Sequence, residues 1–95
     1  MIRYRTTPES ADENQRLIEG VYAELATAAP VLRYSSFRLA DGVTFVHVVD
    51  GAGLPELAAF QEFQRELDSR LAGDVAREEA TLIGSYAAAT ATNRG

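Results

Sequence analysis

The stretch VLRYSSFRLADGVTFVHVVD, residues 31–50, constrains the fold more than any other, because two strand-like runs meet at Asp41-Gly42. Asp-Gly between such runs signals a hairpin, since both central residues of a type I′ turn need positive φ. A two-residue turn sets Ala40 opposite Val43, and the ladder then pairs Leu39 with Thr44, Arg38 with Phe45, Phe37 with Val46, Ser36 with His47, Ser35 with Val48 and Tyr34 with Val49. Side chains alternate between faces along a strand. Phe37, Leu39, Val46 and Val48 read as the core face. Tyr34, Ser36, Arg38, Phe45 and His47, apolar bodies with polar ends, read as the wall of a pocket.

The remaining elements fall on either side of this hairpin. Residues 1–7 suit a first strand, with Ile2 and Tyr4 on one parity and Arg3 and Arg5 on the other, and Pro8 ends it. Ser10 and Glu13 have capping-box spacing, which starts a helix near Ala11. Its apolar stripe is Leu17, Ile18, Val21, Tyr22 and Leu25. Asn14, in the first turn, reads as a solvated residue in preference to a hydrogen-bonding partner for a ligand between helix and sheet, Gly20 as a mark of close approach to the sheet, and Pro30 as the helix stop. After Gly51-Ala52-Gly53, a proline in the first turn opens a second helix, expected to run to about Ala72. It buries Leu57, Phe60, Phe63 or Gln64, Leu67 and Leu71, and Gly73 is placed as a left-handed cap. Residues 74–77 read as a loop, and EATLIGSYA, from residue 78 or 79 to 87, as a last strand.

The order is β, α, β-hairpin, α, β, an α+β chain of the ferredoxin-like βαββαβ type with an antiparallel sheet. Residues 1–87 make one domain and residues 88–95 a flexible tail. Right-handed crossovers place both helices on one sheet face. The other face, expected to carry Tyr34, Phe45 and Ile83, is too aromatic for water, which predicts that a second copy covers it in a homodimer.

Composition narrows the function classes. A formal charge of −5 and a pI near 4.7 oppose a phosphate-backbone partner, so nucleic acid is not expected. With no cysteine and a single histidine, neither a zinc site nor a thiolate nucleophile is expected. The N-terminal residues lack the apolar core of a signal peptide and no run approaches a membrane span. The expectation is a cytoplasmic protein without a membrane partner.

RYRTTP before the first helix, VYAEL within it, GVTFVHVV on the third strand, LAAFQEFQREL in the second helix and LIGSY at the end together resemble the antibiotic biosynthesis monooxygenase-like family of the dimeric α+β barrel superfamily. The resemblance implies two ferredoxin-like sheets paired into a barrel, with small molecules held between sheet and helices or inside it. It also implies a cofactor-independent monooxygenase acting on a phenolic or polyketide-like substrate. The haem-degrading members resemble one another in an asparagine, tryptophan and histidine triad with a helix-borne histidine. This chain has no tryptophan and its histidine lies on a strand, so neither haem nor another cofactor is expected.

No catalytic residue of the family maps onto a motif here, and the candidate site rests on the hairpin register. His47 is placed to take a proton from a phenol or enol, and Arg38 to hold the resulting oxyanion. Tyr34, Ser36, Phe45 and Tyr86 are candidate walls of a pocket for a small aromatic or anionic ligand. Arg3 and Arg5 point into the barrel if Ile2 and Tyr4 face the helices. The plainer alternative is a half-buried histidine bonded to a serine for structure, in a non-catalytic ligand-binding or dimeric assembly module. An open cavity walled by His47 and Arg38 distinguishes the enzyme from the module.

Overall fold

Alternation of Ile2 and Tyr4 with Arg3 and Arg5 is realised as β1 (Ile2–Arg5), with Tyr4 buried and both arginines exposed. A computed structural model describes residues 1–28, 31–84 and 86. Pro30, Ser85 and the 88–95 tail lie outside the described residues. After a 3₁₀ turn at Pro8–Ser10 comes α1 (Ala11–Ala28), then β2 (Leu32–Arg38) and β3 (Thr44–Gly51). A second 3₁₀ turn, Leu54–Glu56, leads into α2 (Ala58–Arg65), α3 (Leu67–Arg70) and β4 (Ala76–Arg77). Among the described residues the strands form one antiparallel sheet of order β2-β3-β1-β4. The chain is thus α+β, compatible with a ferredoxin-like fold. No described helix is long and apolar enough to cross a membrane.

The hairpin keeps the expected register, with Arg38 opposite Phe45, Phe37 opposite Val46 and Ser36 opposite His47. Its turn differs. The Gly42 amide donates to the Leu39 carbonyl at 2.9 Å and the Leu39 amide to the Thr44 carbonyl at 2.9 Å, so residues 40–43 form a four-residue loop. Asp41 holds it, its Oδ1 accepting the Val43 and Thr44 amides at 2.9 Å each, and Gly42 takes the left-handed conformation at φ 78°. At the far end of the ladder Gly51 sits at φ 118° opposite Leu32. A Cβ there would lie 2.7 Å from Leu32 Cβ, so only glycine lets the two backbones meet.

The faces of the hairpin are the reverse of the expectation. Phe45 and His47 lie under the helices with Tyr4, Ile18, Val21, Phe60 and Phe63, whereas Phe37 is 54 % exposed and Val48 37 % on the open face. The cause lies in β1, where Tyr4 pairs with Phe45 and Ile2 with His47, and directly opposed residues share a face. With Tyr4 in the core, Phe45 and His47 are there too.

Four more expectations are corrected. The second helix is broken at Glu66 (φ −123°, ψ 29°), and the Phe63 carbonyl, one of the last four of α2, accepts from Arg70 Nη2 at 2.6 Å. Among the described residues the last strand is Ala76–Arg77, and residues 78–84, expected to begin it, are outside the sheet. Leu71 bridges Thr6 and Ala76 pairs with Arg3, so the chain from 71 to 77 fills the free edge of β1, with a slip of two residues around Gly73-Asp74. Residues 78–84 carry no regular structure, and Ile83 is 96 % exposed. Gly20 has open space where its side chain would be, and Gly73 is not left-handed. The amide end of α2 has no local side-chain cap. Glu24 of α1 supplies one, accepting the Ala59 and Ala58 amides at 2.7 and 3.3 Å.

Candidate functional site

The helix-facing side of β1, β2 and β3 presents Tyr4, Tyr34, Ser36 and His47 in a continuous polar cluster inside an aromatic core. His47 is 4 % exposed and both its ring nitrogens are engaged. Nε2 is 2.8 Å from the Tyr4 hydroxyl, and Nδ1 is 2.8 Å from the Tyr34 hydroxyl and 3.0 Å from Ser36 Oγ. The His47 ring lies nearly parallel to both tyrosine rings, with interplanar angles of 16° and 6°, and the edge of Phe63 meets it. Tyr22 of α1 donates to Ser36 Oγ at 3.0 Å and stacks on Tyr34.

On the other side of Tyr4 the cluster continues through Asn14 to Arg70. Asn14 Nδ2 donates to the Tyr4 hydroxyl at 3.0 Å, and Arg70 Nε donates to Asn14 Oδ1 at 2.9 Å. Asn14 is fully buried, correcting its reading as a solvated residue, and Arg70 is 3 % exposed with its guanidinium over the Phe63 ring. Sequence spacing carried a signal for both. Ala11, Asn14, Ile18 and Val21 are spaced by threes and fours, as are Phe60, Phe63, Leu67 and Arg70. Polar residues on those stripes have to be buried and paired.

Burial sets the electrostatics of this cluster. It pulls His47 down from 6.5 to about 4, so the imidazole is neutral at physiological pH. It pushes Tyr34 up to about 12 and raises Tyr4 further, although the Asn14 hydrogen bond opposes the shift at Tyr4. The two phenols stay protonated, and the cluster is a set of neutral donors and acceptors.

Beside it a cleft of about 300 Å³ opens between the sheet and α2. Ile2, Val49, Leu54, Pro55, Phe60, Phe63 and Leu67 line it with apolar surface, and Tyr4, Tyr34, His47, Gln64 and Arg77 supply the polar groups. This is the small end of the range for ligand pockets, with the usual apolar wall and few convergent polar groups. Among the described residues no group of three or more His, Cys, Asp or Glu side chains is placed to hold a metal ion.

The structure brings Tyr34 and His47 to the cleft, with Ser36 behind them, on the helix side of the sheet and not on the barrel side expected. It does not bring the others. Arg38 ties the hairpin end to α1, donating to the Gly42 carbonyl, Asp12 and Gln15 at 2.8, 3.1 and 2.6 Å. Phe45 is core, stacked on Tyr4 outside the cleft lining. Arg3 and Arg5 lie on the open face, and Tyr86 is 90 % exposed. The cation at the cleft is Arg77, which sequence reading left in a loop. No family model, curated protein or solved structure matches the chain.

Proposed function

We propose that the chain binds a small aromatic molecule in the cleft between sheet and α2 and acts on it without metal or flavin, in the manner of the antibiotic biosynthesis monooxygenase-like family that its sequence resembles. The observation that supports this is the union of an apolar, aromatic cleft with one buried neutral cluster, Tyr4–His47–Tyr34, at its wall. Such a cluster holds a hydroxyl or carbonyl oxygen of a phenolic or polyketide-like substrate and stabilises charge that develops on it. Because both nitrogens of His47 are occupied, the imidazole reaches a substrate through a tyrosine hydroxyl. Arg38, paired with Asp12 at the surface, has no part in it.

Titration with hydroxylated naphthalenes is expected to move the amide resonances of Tyr34, His47, Phe63 and Leu67. Dioxygen uptake with such substrates, no metal or flavin being added, is expected to fall about a hundredfold in Tyr34→Phe, the range for losing one donor to a developing oxyanion. Binding without uptake would leave the alternative, a non-catalytic ligand-binding module. An absence of shifts at those residues would remove the cleft from the reading.

A homodimer belongs to the same proposal. The open sheet face carries Phe37, Val46 and Val48 at its centre with Arg3, Arg5 and Arg33 around them, a surface suited to a second sheet. Interfaces of this kind bury on the order of 2,000 Å² or more. Sedimentation at low micromolar concentration is expected to give twice the chain mass, and Phe37→Glu to halve it. A wild-type monomer under those conditions would end the barrel proposal without touching the cleft.

A further inference from the structure

The hydrogen bonds of the buried cluster have a direction, and Arg70 sets it. A guanidinium donates and never accepts, so the Asn14 atom 2.9 Å from Arg70 Nε is the amide oxygen. The amide nitrogen is thereby turned to the Tyr4 oxygen, 3.0 Å away, which accepts. The Tyr4 proton then goes to its other partner, His47 Nε2, at 2.8 Å. Nε2 presents its lone pair, and the neutral ring carries its proton on Nδ1. Reversal would put an N–H against Tyr4 and leave the proton of this buried hydroxyl between two donors, His47 Nε2 and Asn14 Nδ2, its two side-chain partners among the described residues. Nδ1–H in turn donates to the Tyr34 oxygen at 2.8 Å, shared with Ser36 Oγ at 3.0 Å, and Ser36 Oγ also receives the Tyr22 hydroxyl. Two hydroxyl protons are left at the end of the chain, those of Ser36 and Tyr34, and of these two side chains Tyr34 is the one that lines the cleft.

We infer that the cleft takes an aromatic ligand with an acceptor oxygen, a phenolate or a ring carbonyl, hydrogen-bonded by the Tyr34 hydroxyl, and that Arg70 and Asn14 are positioning residues that hold His47 in its Nδ1–H form. The ligand class rests on the reading of the cleft as a ligand site. The tautomer does not.

A single histidine in the chain makes the tautomer directly readable, because a long-range proton–nitrogen correlation spectrum contains one imidazole. At neutral pH it should show a protonated Nδ1 and an unprotonated Nε2, and an Nε2–H spectrum would overturn the direction of the relay. Asn14→Asp tests what sets that direction. A carboxylate accepts from both Arg70 and Tyr4, so the Tyr4 proton is drawn away from His47 and the imidazole should switch to Nε2–H. An unchanged tautomer in that folded variant would refute the positioning role. Should it fail to fold, Tyr4→Phe, which removes the donor to Nε2, is expected to abolish the single-tautomer signature, and its persistence there would refute the same role.

For the ligand class the probes are indanone and indane, alike in shape with and without the carbonyl. Indanone is expected to bind about tenfold more tightly, the worth of one hydrogen bond, and Tyr34→Phe to erase that advantage. Equal binding, indifferent to Tyr34→Phe, would overturn the acceptor-oxygen assignment while leaving the cleft a ligand site. If neither probe binds at millimolar concentration, the ligand assignment and the proposed function both fall, and the tautomer spectrum alone then decides the relay.

Discussion

Arg70→Ala is expected to cost the domain about 3 kcal/mol or more, since it removes two hydrogen bonds from a charged donor, each contributing roughly 1.5–3 kcal/mol. The acceptors left behind are Asn14 Oδ1 and the Phe63 carbonyl, both on buried residues. The Phe63 ring also loses the guanidinium stacked 5.3 Å from its centre. Burial lowers the pKa of Arg70 from its ordinary value, yet an arginine stays charged at any working pH, so the site cannot escape the penalty by neutralising. A domain of this size has a total stability of about 5–15 kcal/mol, and such a loss is a large fraction of it. The internal control is Arg65→Ala. Arg65 meets Glu62 at 2.7 Å, but both side chains are more than half exposed, and the expected cost is below about 0.5 kcal/mol. Urea midpoints of the two variants, read at constant m-value, make the comparison. Equal losses would mean that the buried guanidinium is not what holds α2 and α3 to the core.

The hairpin register was legible in the sequence because Asp41-Gly42 punctuates two runs of strand-forming residues. It survived a wrong turn type, since a four-residue loop at residues 40–43 preserves the same pairs as a two-residue turn at Asp41-Gly42. The faces were not legible from hydropathy within the hairpin, where Phe37, Val46 and Val48 outrank Tyr34 and His47. What decides them is volume and mutual polar satisfaction across three strands. The aromatic residues fill the space under α1 and α2, and each polar tip finds a partner: Tyr4 for His47, Tyr22 for Ser36, Arg70 for Asn14. Setting β1 beside β3 exposes the conflict in sequence terms, because Tyr4 as core and Phe45 as pocket wall require opposed residues to point in opposite directions. The last strand failed for a different reason. LIGSY has the propensity and part of the alternation of a strand, but β1 is four residues long and residues 71–77 already occupy its free edge. No edge of β1 remains for LIGSY within one chain, and its apolar residues, Leu82 and Ile83, lie exposed.

Acid should destabilise the domain by about 3 kcal/mol between pH 6.5 and 4, because burial holds His47 neutral in the folded state. The folded-state value is depressed to about 4 from 6.5, so within that window the unfolded chain binds a proton that the native protein refuses. Stability therefore rises with pH across the window, is fully present above 6.5 and is lost as pH falls through 4. The groups facing the ring do not titrate there. Tyr4 and Tyr34 are held protonated by burial, and Arg70, behind Asn14, keeps its charge. Asp41 adds a separate loss lower down, because the Thr44 hydroxyl and the Val43 and Thr44 amides hold its carboxyl at about 2. Its window, from 3.8 to about 2, barely meets that of the histidine. Urea unfolding at a series of pH values separates the two. His47→Gln keeps a neutral hydrogen-bonding side chain and should flatten the curve above pH 4 while leaving the acid limb of Asp41 in place. A wild-type curve as flat as that of His47→Gln would show that the imidazole takes up its proton without unfolding the domain. The buried relay through Tyr4 and Tyr34 would then have to open to accommodate the charge.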